Sequence, residues 1–187
     1  MISVALVGHS NLPLFHSYRG VHVQFFKHGG AKLNDIWNPE KFDQRMLQRR
    51  WHIVIIFLGG NDLATCRNQD VIFGRFLALV NAFRTRKLFI TDLEKRWYRD
   101  PRQFGITFWD YNQLANIVNL RLKRYARRIR HFELVHVPPG YSTNSREGVH
   151  LGPLGEYMLV RKYRHKINEY VMEEYRRRVR QRFGDDE

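Results

Sequence analysis

Cysteine, proline and uninterrupted apolar sequence are all scarce in this chain. The single cysteine, Cys66, excludes an intrachain disulfide and a cysteine-rich zinc module, and it suits a reducing compartment. The longest apolar run, Ile53 to Leu58, falls far short of the roughly 20 residues that a membrane-spanning helix needs. The opening Met1-Ile2-Ser3-Val4-Ala5-Leu6-Val7-Gly8 has neither a basic leader nor a small-residue cleavage site, so it does not read as a signal peptide. With 6 prolines and 13 glycines in 187 residues, no linker, repeat or low-complexity segment interrupts the sequence. Acidic side chains are the other scarcity. There are 18 against 32 lysines and arginines, a formal charge of +14.

Hydrophobic residues make up 43% and aromatics 14%, enough to bury a core and to exclude general disorder. The length fits one domain, 1–187. The excess positive charge favours polyanions, nucleic acid or an anionic membrane surface. It is not a detachable basic tail, because residues 1–120 and 121–187 each carry 16 basic and 9 acidic side chains. Two clusters stand out: six basic residues in Arg121–Arg130 and five in Arg176–Arg182.

Five short apolar segments read as buried strands: Ile2–Gly8, Val21–Lys27, His52–Gly59, Lys87–Leu93 and Phe132–Pro138. The third is continuously apolar, as expected of a central strand covered on both faces. Helical periodicity runs through Asp70–Thr85 and Tyr111–Arg130, and a long basic helix is expected over 153–182. On the second of these, Lys123, Arg124, Arg127 and Arg130 fall opposite the apolar stripe. They form either a solvated face or a polyanion-contacting one. Alternation of strands and helices implies βαβ units. The expected fold class is α/β: a three-layer α/β/α sandwich of flavodoxin-like type with a five-stranded, mainly parallel sheet. In such sheets ligands bind beyond the carboxyl ends of the strands.

Four polar blocks lie at those ends: Gly8-His9-Ser10-Asn11, Lys27-His28-Gly29-Gly30-Ala31, Gly59-Gly60-Asn61-Asp62 and Arg146-Glu147-Gly148-Val149-His150. Together they suit acyl transfer. A serine hydroxyl needs a base, for which His150 is the candidate. Its imidazole needs a carboxylate, and Glu147 stands three residues earlier. An oxyanion needs donors, and the Asn61 amide with the Gly30 and Ser10 N–H groups are the natural set. Each piece has a plainer reading. Ser10 is a good N-cap for a following helix, Gly29 and Gly30 supply positive φ at a turn, and Asn61-Asp62 are ordinary turn residues. Asp62 reads as structural, satisfying loop N–H groups. His9, His16, His22 and His28 have no metal-ligand spacing.

The blocks, in this order, resemble the SGNH (GDSL-like) hydrolase superfamily. The runs VGHS, GGNDL and GVHLGPLGEY are most similar to the small esterase domains of retroelement-related and uncharacterised animal proteins. The resemblance implies hydrolysis of esters, thioesters or O-acetyl groups without a cofactor. It implies Ser10 as nucleophile, His150 as base and Glu147 as orienting acid, with Gly30 and Asn61 in the oxyanion hole. The chain departs from the family in having His9 where an Asp usually precedes the serine, and Glu147 where an Asp usually precedes the histidine. The expected partner is a small acylated substrate, with nucleic acid or an anionic surface as the alternative, and the expected location is intracellular, cytoplasmic or nuclear. The Arg176–Arg182 run sits where cations favour a helix macrodipole, and it also reads as a nucleic-acid or nuclear-localisation patch.

Overall fold

The computed structural model of the chain describes residues 1–97, 105–137 and 148–183. Five strands, β1 (Ile2–Gly8), β2 (Val21–Lys27), β3 (Trp51–Phe57), β4 (Thr85–Thr91) and β5 (Phe132–Val135), form one sheet in the order β2-β1-β3-β4-β5. Every neighbouring pair is parallel. The expected five-stranded α/β architecture is therefore what the chain adopts.

The apolar run of β3 has the predicted cause. Successive side chains alternate across a strand. Val54 and Ile56 enter the core on one face of the sheet, Ile53 and Ile55 the core on the other, and all four are fully buried. The two faces are covered unequally. The first carries α1 (Arg45–Gln48), α2 (Gly60–Thr65), α3 (Gln69–Ala82) and α4 (Phe108–Ala126), which supply Met46, Leu63, Phe76 and Val118. The second is closed by α5 (Pro153–Phe183) through Leu159, Tyr163 and Ile167, with Leu12 and Phe15 from the β1–β2 connection.

Helix starts follow capping chemistry. The Asn68 side chain accepts from the Asp70 and Val71 amides ahead of α3, and Thr107 Oγ1 accepts from the Asp110 amide ahead of α4. α5 continues unbroken through 31 residues. Several boundaries shift: β3 runs Trp51–Phe57 rather than His52–Gly59, β4 runs Thr85–Thr91 rather than Lys87–Leu93, α3 and α4 end at Ala82 and Ala126 rather than Thr85 and Arg130, and β5 ends at Val135, with Pro138 outside the described residues. The plainer reading of Ser10, as the cap of a following helix, is not met. No helix follows Ser10, and residues 9–20 cross from β1 to β2 as turn and coil. Pro13 removes an amide there, and burial of Leu12 and Phe15 fixes the path instead.

Candidate active site

The strand order reverses at β1 and β3, since the chain leaves β1 for one edge and β3 for the other. The crevice beyond their carboxyl ends is where such sheets take ligands. Ser10 stands there. At Gly8 a Cβ would lie 2.8 Å from the Phe57 carbonyl oxygen and 2.9 Å from the Leu12 Cβ, so only glycine lets β1 run this close to its neighbours. The Leu12 amide then closes a turn onto the His9 carbonyl (3.0 Å), leaving Ser10 exposed at the corner. A serine in that position caps nothing; its hydroxyl faces a histidine. Ser10 Oγ lies 3.1 Å from His150 Nε2, across 140 residues of sequence.

Buried polar contacts hold the His150 segment against the Ser10 turn. The Asn11 side-chain amide donates to the Val149 carbonyl (3.1 Å) and to Glu94 Oε1 (3.0 Å). The Trp97 amide donates to the Gly148 carbonyl (2.9 Å). Glu94 pairs with Arg96 at 3.6 Å, and both side chains are at most 2% exposed. Gly60 makes room for this pair, since a Cβ there would stand 2.6 Å from Arg96 Nη2. The segment after β4 therefore ties the nucleophile turn to the histidine loop.

His9, directly before Ser10, is buried against Phe57. Its Nδ1 accepts from the Asn11 amide (3.1 Å), which places the proton of the neutral ring on Nε2. Burial pushes its pKa down to about 4, against the raising influence of Glu94, so the ring is neutral at neutral pH. His9 supports the turn as an uncharged wedge rather than as an anion.

The Gly30 and Asn61 segments meet. Gly30 has φ of 71°, which a turn at this point requires, and the Asn61 side-chain amide donates to the Ala31 carbonyl at 3.0 Å. Asp62 is structural, as read from the sequence. Fully buried, it accepts from the Leu33 amide and from Arg75, both at 2.8 Å. Burial nevertheless raises its pKa. Glu147 lies outside the described residues. Lys123 and Arg124 are exposed on the last turn of α4, and Arg127 and Arg130, expected on the same helix, are exposed beyond its end at Ala126, while Arg121 is drawn onto Asp70 (2.6 Å) and over the Phe73 ring. Among the described residues no group of three or more His, Cys, Asp or Glu is placed to hold a metal ion.

Sequence reasoning passed over Asn11, Glu94, Arg96 and Trp97. It also passed over a second carboxylate–imidazole pair, Asp92 Oδ2 with His136 Nδ1 at 2.8 Å. Asp92 is pushed up by burial against the lowering bonds from the Val137 amide and His136. A signal was present: Asp92-Leu93-Glu94-Lys95-Arg96 follows a strand, and polar residues at a strand's carboxyl end are the mark that singled out the other blocks.

No family model and no curated protein matches the chain. Solved structures do. A carbohydrate esterase family 3 protein from Talaromyces cellulolyticus superposes with a TM-score of 0.68 at 17% identity, covering 92% of this chain and 99% of its own. A lipase/acylhydrolase from Enterococcus faecalis gives 0.65 at 15% identity, over 89% and 95%. A GDSL-like lipase from Bacteroides thetaiotaomicron gives 0.64 at 19% identity, over 89% and 88%. The fold is thus one shared with esterases and acylhydrolases of the GDSL-like kind; at such identities the likeness is one of architecture.

Proposed function

We propose that the chain is a serine hydrolase of SGNH type acting on carboxylic esters or O-acyl groups. The observation that carries this reading is the 3.1 Å approach of Ser10 Oγ to His150 Nε2 at the crevice where the strand order reverses. His150 Nε2 takes the hydroxyl proton as Oγ attacks the acyl carbon, then returns it to the leaving alcohol. Water repeats the sequence to release the acid. Glu147 holds the His150 Nδ1–H. The Ser10 and Gly30 amides with the Asn61 side chain receive the oxyanion, each donor being worth about 10²–10³ in turnover. Asn61 Nδ2 carries two hydrogens, one of which serves the Ala31 carbonyl. The Trp97 ring packs on Phe108, and Phe108 on Trp109 (centroids 5.5 and 4.8 Å apart). This row gives the substrate an apolar wall beside the histidine loop. The VGHS, GGNDL and GVHLGPLGEY runs support a narrower likeness, to the small esterase domains of retroelement-related and uncharacterised animal proteins.

The test is labelling by a fluorophosphonate probe together with hydrolysis of short p-nitrophenyl esters. Wild-type protein is expected to label and turn over, and Ser10→Ala to lose both. A folded wild type that does neither overturns the reading.

A further inference from the structure

The far end of α5 carries an apolar face that the domain does not use. Its inner face is given by Leu159, Tyr163, Ile167 and, last, Glu174, all buried. Beyond Glu174 every described residue of the helix is exposed. Yet Met172 (51% exposed), Tyr175 (63%), Val179 (36%) and Phe183 (69%) recur at spacings of three and four. At 3.6 residues per turn these four fall within an arc of about 80°, on the side roughly opposite the buried one. Arg176 and Arg180 flank the stripe on one side, Arg178 and Arg182 on the other. Residues 175–183 hold five arginines and no acidic side chain.

We infer that this half of α5 is a docking face for an anionic lipid surface. Aliphatic and aromatic side chains bordered on both sides by arginine form the pattern of a helix lying in a membrane interface. There the stripe enters the headgroup boundary, and the guanidinium groups remain among phosphates. Charge complementarity selects this occupant. A second copy of the helix would bring arginine flanks against arginine flanks, which like-charge repulsion opposes. Nucleic acid would use the arginines but has no use for an aliphatic stripe containing Met172 and Val179. The α4 cluster of Lys123, Arg124 and Arg127 supplies charge without such a stripe. Two acids of the helix bear on the face, and Asp185, Asp186 and Glu187 follow its end in the sequence. Glu174 holds Arg177 and Arg178 (2.7 and 3.1 Å) against the body of the domain, and Glu173 lies beside Arg176 on the helix. Among the described residues, Arg176, Arg180 and Arg182 have no carboxylate within ion-pair distance. The inference is independent of the hydrolase reading.

The test is co-sedimentation of the full chain with vesicles of phosphatidylcholine alone or with about one-third phosphatidylserine, at low and physiological salt. Binding is expected with phosphatidylserine only, weakening at least tenfold as salt screens the arginines. The triple variant Tyr175→Ser, Val179→Ser, Phe183→Ser should lose most of that binding. Since all three side chains are exposed, its circular dichroism and melting should match wild type. Lys123→Gln with Arg124→Gln and Arg127→Gln should bind as wild type does. Absence of binding to the anionic vesicles overturns the inference. So does binding that survives the serine triple, or a wild-type dimer in sedimentation velocity that the serine triple dissolves. Displacement from the vesicles by a short single-stranded RNA that binds the serine triple equally well would reassign the face to nucleic acid.

Discussion

Among the described residues, two serine–histidine pairs stand at opposite ends of the same sheet. At the carboxyl end Ser10 Oγ meets His150 Nε2 at 3.1 Å; at the amino end Ser3 Oγ meets His52 Nδ1 at 2.9 Å. The second contact is the shorter one, and a cavity of about 500 Å³ lined by His52, Trp51, Arg84 and Arg86 opens beside it. Ser3 lies within β1, and its own amide also donates to His52 Nδ1 (3.2 Å), so the imidazole serves to stitch β1 to β3. Arg86 stands nearby, and burial with that cation lowers the His52 pKa. Ser10 instead stands on a turn, exposed, with glycine amides and the Asn61 side chain at the neighbouring strand ends. A serine–histidine hydrogen bond therefore says little about chemistry. What separates the pairs is the access and the donors that surround the hydroxyl.

The sharpest way to break the comparison is to remove each hydroxyl in turn. Ser10→Ala is expected to lower ester turnover on the order of 10⁴-fold or more. Ser3→Ala should leave it within about twofold; equal losses in steady-state assays would erase the distinction.

His9 gives the next largest effect, on stability. Its pKa is about 4 in the folded chain, against an ordinary 6.5 when unfolded, so the unfolded state takes up the proton first on acidification. The stabilisation is complete above pH 6.5 and is lost as pH falls toward 4, amounting to about 3 kcal/mol at most. Thermal melts of wild type should therefore fall more steeply across that window than melts of His9→Asn. Parallel curves would mean that the ring is not buried neutral.

Asn11→Ala cuts the tie between Glu94 and the Val149 carbonyl. Turnover should drop on the order of 10²-fold with KM little changed, because the imidazole loses its register with Ser10. The melting transition should also fall by about 1–3 kcal/mol, since Glu94 is left buried with one bond fewer. A change in KM alone would show that Asn11 contacts substrate rather than positioning the loop. The smallest effect belongs to Ser3→Ala, about 1 kcal/mol of stability by denaturant titration.

Much of this was legible in the sequence, for reasons that can be named. Strands buried on both faces must be continuously apolar, so Ile53–Leu58 announced the centre of the sheet. The close approach at Gly8 and the positive φ at Gly30 demand glycine, so the turns left a mark. Glu94 and Arg96 stood in a polar run at a strand's carboxyl end, but their pairing was not legible, because a buried ion pair looks like a surface one until the fold closes over it. The plainer reading of Ser10, as a helix cap, fails for a related reason. Its propensity for that place is real, but the segment after it is steered by the burial of Leu12 and Phe15, which periodicity does not register.

The unequal covering of the sheet has a consequence for how the chain is born. Four helices line one face before residue 130, but the other face waits for Leu159, Tyr163 and Ile167. Until those are synthesised, Val4, Leu6, Ile53 and Ile55 have only Leu12 and Phe15 over them, and a growing chain on the ribosome holds a half-open sandwich. His150 is itself made only just before the helix that completes the domain. The Ser10 turn is thus translated well before His150, and the contact between them waits until the chain has passed residue 150.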